Sequence, residues 1–308
     1  AMKTLKYLLC GITMCALACS SSKDDGPGPD KGESNTLKIM SFNVRYNSAN
    51  DEGDTNWEVR KAAVVKMINT VQPDVVGLQE PRTEQRTYLK NNLPNYGYLE
   101  VPGTGAGTGG NTCLIYRQDR FTKVNDGYFF LSPTPDEPSR CWDVGDSQWR
   151  TSVWVHLKEK ETGKEFFFFN THLAHRASPV EGGDIDQVAR TESVKLIVEQ
   201  MKQIAGRYAP IFVTGDMNAS YAAGDGRRTC LDGFFEFMWS ARETAPDGEA
   251  DDVYSYNNFG EGTPRFTWNI DHIFYRCAEP LRYQLLDSTG YGVQYLSDHY
   301  PIAMTFTL

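Results

Sequence analysis

The stretch "IFVTGDMN" (211–218) runs apolar and then ends on Gly215, Asp216, Met217 and Asn218. Alternation along an extended chain sets the Asp216 carboxylate and the Asn218 carboxamide on one side of it. The same habit recurs along the chain. "SFNV" brings Asn43 to the end of an apolar run, "VVGLQE" finishes on Glu80, and "FFFFNTHL" delivers Asn170 and His172. "NIDHIF" sets Asp271 among apolar residues, and "LSDHYPI" carries Asp298 and His299 just ahead of a proline. Singly, an Asp or Asn at a strand end is a turn former. Repeated at the ends of separate runs, carboxylates, carboxamides and imidazoles are the groups that ligate metals, move protons and contact phosphate. Ligation by oxygen selects Mg2+, Mn2+ or Ca2+ over zinc.

Elements of two kinds must position these residues. "LKIMSFNV", "PDVVGLQE", "TCLIYR", "GYFFL", "TSVWVHL", "EFFFFNTHL", "NIDHIFY", "LRYQLLD" and "YPIAMTFT" read as strands. "WEVRKAAVVKMINT" carries a helical stripe at Val59, Ala63, Val64, Met67 and Ile68, and helices are also expected over 83–93 and in "DIDQVARTESVKLIVEQMKQIA". Interleaved helices and consecutive strands predict α/β layers with two sheets packed together and helices outside. No break in composition marks a second domain, so residues 37–308 are expected to form one.

SFNV, LQE, NTHL, GDMN, IDHIF and SDHYP, in that order and at these separations, resemble the endonuclease/exonuclease/phosphatase superfamily over essentially all of 37–308. "RYNSANDEGDTNWEVRK" further resembles the Trp-x-x-Arg arrangement of its secreted bacterial members and its deadenylase-like branch. The resemblance implies a four-layer α/β/β/α sandwich, two packed mixed β-sheets flanked by helices, with the site at one rim where strand ends meet. It implies Glu80 as the principal Mg2+ ligand, assisted by Asn43 and Asp298, with Mn2+ or Ca2+ as substitutes. Asp216 and Asn218 would hold the attacking water and phosphate oxygens. His299, paired with Asp271, would contact the scissile phosphate, and His172 would stabilise phosphate or protonate the leaving oxygen. Asn170 is expected beside the substrate. Arg150, ahead of "TSVWVHL", and Arg190, on the helix after the NTHL segment, are expected to meet substrate phosphate. Elementary electrostatics agrees: carboxylates such as Glu80, Asp216 and Asp298 gathered within ~4 Å repel by ~4 kcal/mol per pair at an effective dielectric near 20, so a cation belongs among them. Asp216 is favoured as the base that takes a proton from water, and protonated His299 as the phosphate stabiliser.

The substrate class stays open. The repair branch of the superfamily usually has Arg two residues before the aspartate of IDHIF, where this chain has Asn269, and the Cys-Asp-Arg signature of inositol phosphatases is missing. Net charge is −9 and no long basic run appears, which argues against a nonspecific grip on nucleic-acid backbone. A phosphate-ester substrate is expected, whether nucleic acid, small molecule or phospholipid head group. The rival readings are a noncatalytic surface-binding lipoprotein that retains the fold, and a glycosidase on Glu80 and Asp216 that would leave the histidines unused.

Residues 1–18 read as an export signal: Lys3 and Lys6 precede an apolar stretch, Tyr7 to Ala18, too short to span a bilayer. Ala16-Leu17-Ala18-Cys19 resembles a lipobox, with Cys19 as the lipidated residue, and 19–36 reads as a flexible polar tether. An outer-membrane or cell-surface lipoprotein is expected, otherwise a periplasmic or secreted protein, and a monomer with no protein partner. Cys113, Cys141, Cys230 and Cys277 form no CxxC pair and signal neither a zinc site nor a disulfide framework.

Overall fold

The computed structural model describes residues 36–308 apart from 102–110, 143–148, 176–184, 223 and 247–253. The export signal, Cys19 and nearly all of the expected tether lie outside these residues. Two six-stranded sheets carry the fold. The first contains β1 (Thr36–Asn43), β2 (Val75–Gln79), β3 (Tyr96–Glu100), β4 (Thr112–Arg117), β11 (Glu279–Leu285) and β12 (Ile302–Thr307), in the order β11-β12-β1-β2-β4-β3. The second contains β5 (Phe121–Phe130), β6 (Thr151–Glu159), β7 (Glu165–His172), β8 (Ile211–Asp216), β9 (Trp239–Ser240) and β10 (Asp271–Arg276), in the order β5-β6-β7-β8-β10-β9.

Each sheet has one parallel pair at its centre, β1 with β2 and β7 with β8. Parallel neighbours need a crossover, and a helix supplies it in each case. α1 (Trp57–Val71) follows β1, and α3 (Ile185–Ile204) follows β7; α2 (Thr83–Asn92) lies between β2 and β3. α1 begins where Asn56 Oδ1 accepts the Glu58 N–H, and it stops at Gln72, a left-handed residue followed by Pro73. Antiparallel strands flank both parallel pairs: β12 and β4 in one sheet, β6 and β10 in the other. The C-terminal ends of β1, β2, β7 and β8 are therefore occupied by the residues that lead the sequence motifs.

Central strands are buried on both faces, which explains runs such as "FFFF" that do not alternate with polar residues. Phe166, Phe168, Phe212, Ile273, Met304 and Phe306 fill the space between the sheets. Phe42, Val76 and Leu78 pack under Val64, Met67 and Ile68 of α1. Phe169, Val213 and Phe274 pack under Ala189, Val194, Ile197 and Met201 of α3. The result is the expected α/β/β/α sandwich. None of the four cysteines of the described residues is in a disulfide among those residues, and Cys113, Cys141 and Cys230 are buried.

The sheets approach each other closely just beneath the strand ends. A Cβ on Gly77 would come within 2.1 Å of Thr214 Oγ1 and 2.4 Å of Asn170 Oδ1, so only glycine fits there. Asn170 binds the two sheets together at this level. Its Nδ2 donates to the carbonyls of Leu78 (2.9 Å) and Cys113 (2.8 Å), and its Oδ1 accepts from Gln79 Nε2 (2.6 Å) and Thr214 Oγ1 (3.1 Å). The sequence expectation that Asn170 meets substrate is thereby corrected. Its side chain is fully buried and committed to the opposite sheet, one pleat below the rim.

On the outer face of β10, His272 is buried beside the Tyr221 ring, with Nε2 2.8 Å from the Ala219 carbonyl. Burial disfavours its charged form and outweighs that hydrogen bond and the Asp271 charge, pushing the imidazole down from 6.5 to about 4. An unfolded chain then takes up a proton before the folded one as the pH falls. The contribution is intact above about 6.5 and disappears towards about 4, a loss of about 3 kcal/mol. Urea titrations at pH 7.5 and pH 4 should show a smaller difference in a His272→Gln chain than in the wild type by about that amount. An equal loss in both chains would mean that His272 is already charged in the fold.

Candidate active site

Where β1 ends, the chain turns sharply. Arg45 adopts a left-handed φ of 56° and donates its N–H to Asn43 Oδ1 at 3.0 Å. This leaves Asn43 Nδ2 facing two carboxylates, Glu80 Oε1 at 3.3 Å and Asp216 Oδ2 at 3.0 Å. One carboxamide thus joins the ends of β1, β2 and β8 across the two sheets. Glu80 follows β2 in a left-handed conformation, φ 69°, its N–H held by the Asn111 carbonyl at 2.6 Å. Such a backbone costs a glutamate about 1–2 kcal/mol, and strain of this kind gathers at functional sites. It turns Oε2 onto the Tyr46 N–H at 3.0 Å and leaves the side chain half-buried at the rim.

In the second sheet, β7 ends on His172, whose Nε2 lies 3.4 Å from Asp216 Oδ2. Asp216 closes β8 and is paired in register with Asp271, the first residue of β10. Asn218, left-handed at φ 50°, donates its N–H to Asp216 Oδ1 at 2.9 Å and its Nδ2 to the Leu173 carbonyl at 3.1 Å. Asn tolerates that backbone, because its short side chain finds local partners. The alternation inferred for GDMN is broken here: a turn, not an extended chain, brings Asp216 and Asn218 together.

His299 arrives from the segment before β12. Its Nδ1 is 2.7 Å from Asp271 Oδ2, and its Nε2 is 3.8 Å from Asp216 Oδ2. Ser255 steadies this pair, donating its hydroxyl to Asp271 Oδ2 at 2.7 Å while accepting the N–H groups of Ile270 (3.1 Å) and Asp271 (3.0 Å). Nothing in the sequence around Ser255 marks it, and its role arises from apposition to β10. Asp298 sits next door, its Oδ1 accepting from Ser297 Oγ at 3.1 Å and its Oδ2 3.7 Å from Arg45 Nη1. Ser297 Oγ also donates to the Asn43 carbonyl at 2.7 Å, fastening the Asp298 segment to the end of β1. The Trp-x-x-Arg motif serves the same junction. Arg60 is fully buried and donates from Nη1 to the carbonyls of Val44 (3.0 Å) and Leu296 (2.7 Å).

Asp216 is thus the centre on which Asn43, His172, Asn218 and His299 converge, with Glu80 one carboxamide away. The expected arginines divide. Arg150 is buried close enough to His172 for its charge to act on the imidazole. Arg190 is fully buried, with Nη1 on the Ala174 carbonyl at 3.0 Å and Nη2 on Gln187 Oε1 at 3.1 Å. It holds the backbone that follows His172, and the expectation of a direct phosphate contact is corrected. His175 is exposed, and His156 is a strand histidine against Glu165 on β7, as its sequence context suggested.

The charges sort themselves by environment. Burial acts against charge on His299, but Asp271, Asp216 and Asp298 together lift its value to about 10, so it is an imidazolium at neutral pH. Burial, assisted by the charges of Arg150, His175 and His299, depresses His172 well below 6.5, so it is neutral. Burial and then Asp271 push Asp216 up from 3.8 to about 7 against the pull of His299. Burial likewise raises Asp298, with Glu80 adding to it and His299 and Arg45 opposing.

Two oxygen-rich groupings could take a cation. Ligand atoms of Asp216, Asp271 and His299 all lie within 4.8 Å of one another. In that trio Asp271 Oδ2 is shared between His299 and Ser255, an arrangement that positions an imidazolium, and Oδ1 is left buried without a hydrogen-bond partner among the described residues. Glu80 and Asp298 supply hard carboxylate oxygens, and Asn43, whose Nδ2 here faces Glu80, would add a carboxamide oxygen with its amide turned over. They fit a divalent cation by donor chemistry, and the excess of carboxylates over Arg45 and His299 fits its charge.

Comparison with known proteins adds a third line. The model of the Endonuclease/Exonuclease/phosphatase family matches residues 40–299. An uncharacterized protein of Acanthamoeba polyphaga mimivirus is 26% identical over 191 residues, 59% of this chain and 67% of its own length. Among solved structures, a mannosyl-6-phosphatase of Bacteroides thetaiotaomicron is 30% identical with a TM-score of 0.76, over 88% of this chain and 100% of that one. An endonuclease/exonuclease/phosphatase protein of Bacteroides vulgatus is 28% identical with a TM-score of 0.76, over 89% and 99%.

Proposed function

The chain belongs to the endonuclease/exonuclease/phosphatase family, and on that premise we propose that it is a divalent-metal-dependent phosphoesterase that hydrolyses phosphate esters by in-line attack of water. The observation that carries this reading is the meeting of Asn43, His172 and His299 on Asp216, with Glu80 joined through Asn43. Glu80, Asn43 and Asp298 would hold Mg2+, with Mn2+ or Ca2+ as substitutes. When bound, the cation supplies positive charge against the phosphoryl oxygens and the leaving oxygen.

The chain's own residues supply the rest. Asp216, desolvated and steered by the Asn218 N–H, is the base that accepts a proton from the attacking water. Protonated His299, fixed through Nδ1 by Asp271, presents an Nε2–H donor to a phosphate oxygen. Neutral His172 supplies a hydrogen-bonding nitrogen on the other flank of Asp216, with Arg150 behind it. The net charge of −9 and the likeness to a sugar-phosphate phosphatase favour a small phosphomonoester over polynucleotide.

Purified protein with Mg2+, and with EDTA, is to be assayed on mannose 6-phosphate, p-nitrophenyl phosphate, bis-p-nitrophenyl phosphate, plasmid DNA, RNA and sphingomyelin. Chelator-sensitive turnover, fastest on the monoesters, is the expected result. Diester, nucleic-acid or sphingomyelin cleavage at higher kcat/KM would replace the monoester reading. No turnover of any ester would favour a noncatalytic surface protein.

A further inference from the structure

Asn269 stands two residues ahead of Asp271, between the 3-10 turn Phe266–Trp268 and β10. Asp271 and Ile273 lie on the face that β10 turns towards the other sheet, and Asn269 lies just beyond the end of β10 that carries Asp271. The residue is only 7% exposed, yet its amide makes no side-chain hydrogen bond among the described residues, and Oδ1 is a buried oxygen without a partner. Buried amides are nearly always paired, because stripping one of water without replacement is costly. Around it, Ser255 and His299 hold Asp271 Oδ2, and Asn257 Nδ2 donates to the Ser297 carbonyl at 3.1 Å, while Asp271 Oδ1 is a second buried oxygen without a partner among the described residues. Aromatic surface adjoins the same place. The Trp268 ring lies 5.3 Å from Tyr256, and Tyr256 lies 4.9 Å from the His299 ring.

A buried amide oxygen without a partner, beside aromatic faces and two residues from the one that orients His299, is a recognition element without its ligand's share of the hydrogen bonds. The amide can accept from a hydroxyl and donate to one, whichever way its oxygen and nitrogen are turned. We propose that Asn269 is a specificity-determining residue that hydrogen-bonds a hydroxyl of the leaving alcohol. The site would then select phosphate monoesters of polyhydroxy alcohols, such as sugars, over esters of phenols or simple alkanols. This inference rests on the phosphoesterase reading above and narrows it.

The test compares mannose 6-phosphate with phenyl phosphate, which has no hydroxyl for Asn269 to meet, in the wild type and in Asn269→Leu and Asn269→Ala, with Mg2+ and with melting temperatures recorded. Both variants should lower the ratio of kcat/KM for the sugar ester over the phenyl ester by about tenfold or more. Asn269→Leu should not lower the melting temperature, since it fills the same space and removes an unpaired buried oxygen. An unchanged ratio, or an equal fall on both esters with a lower melting temperature, would overturn the inference and leave the phosphoesterase reading in place. A wild type that hydrolyses phenyl phosphate but not the sugar ester would do the same. Turnover of neither ester would sink both. Should the leucine variant fail to fold, the alanine variant gives the same ratio.

Discussion

Replacing Asp216 with Asn should lower kcat on a phosphomonoester by about a thousandfold, within the range by which positioned acids and bases assist proton transfer. The change is nearly isosteric, so the effect is chemical. An amide cannot take a proton from water, and its NH2 group would face either Asn43 Nδ2 or the Asn218 N–H, both donors. The fold should not suffer comparably. Removing a carboxylate that is only 2% exposed and paired in register with Asp271 relieves repulsion as well as breaking hydrogen bonds. Single-turnover rates and melting temperatures of the two proteins check this. A variant within tenfold of wild type would transfer the role of base elsewhere, with His172 next in line at 3.4 Å.

Replacing Glu80 produces the second large effect, with a signature of its own. Glu80→Gln keeps size and hydrogen-bonding capacity but loses the charge that, on the proposed function, would tie a cation to the end of β2. Affinity for Mn2+ measured by calorimetry should fall by a hundredfold or more, beyond the 10–100-fold typical of outer-shell partners. Activity should fall with it and recover only in part at high metal. Glu80→Gly separates catalysis from folding. Glycine adopts φ 69° freely, so this chain should be more stable than wild type by about 1 kcal/mol and yet inactive. Unaltered Mn2+ affinity in Glu80→Gln would move the cation to the Asp216, Asp271 and His299 grouping.

Much of this was legible from residue types at strand ends. Parallel β1–β2 and β7–β8 pairs carry their motif residues at one pole because crossovers through α1 and α3 return the chain to the same starting edge, and the apolar runs that announce those strands are long and unbroken. What escaped lies where tertiary apposition decides. Asn170 and His172 share a face of β7, but one pleat of depth separates a residue at the rim from one sealed against Gly77. Arg190 sits on α3 at a helical position indistinguishable in sequence from a surface cation, and only burial under the segment after His172 shows that it serves the backbone. Ser255 lies sixteen positions from the carboxylate it steadies. The edge strands β3 and β9, half-buried or very short, lack the apolar run that betrayed their neighbours.

The polarity of β1 fixes where the chain enters the fold. Thr36 lies at the end of the strand away from Asn43, roughly 23 Å off at ~3.3 Å per residue. The chain therefore enters the described fold at the pole opposite the strand ends where Asn43, Glu80, His172 and Asp216 meet.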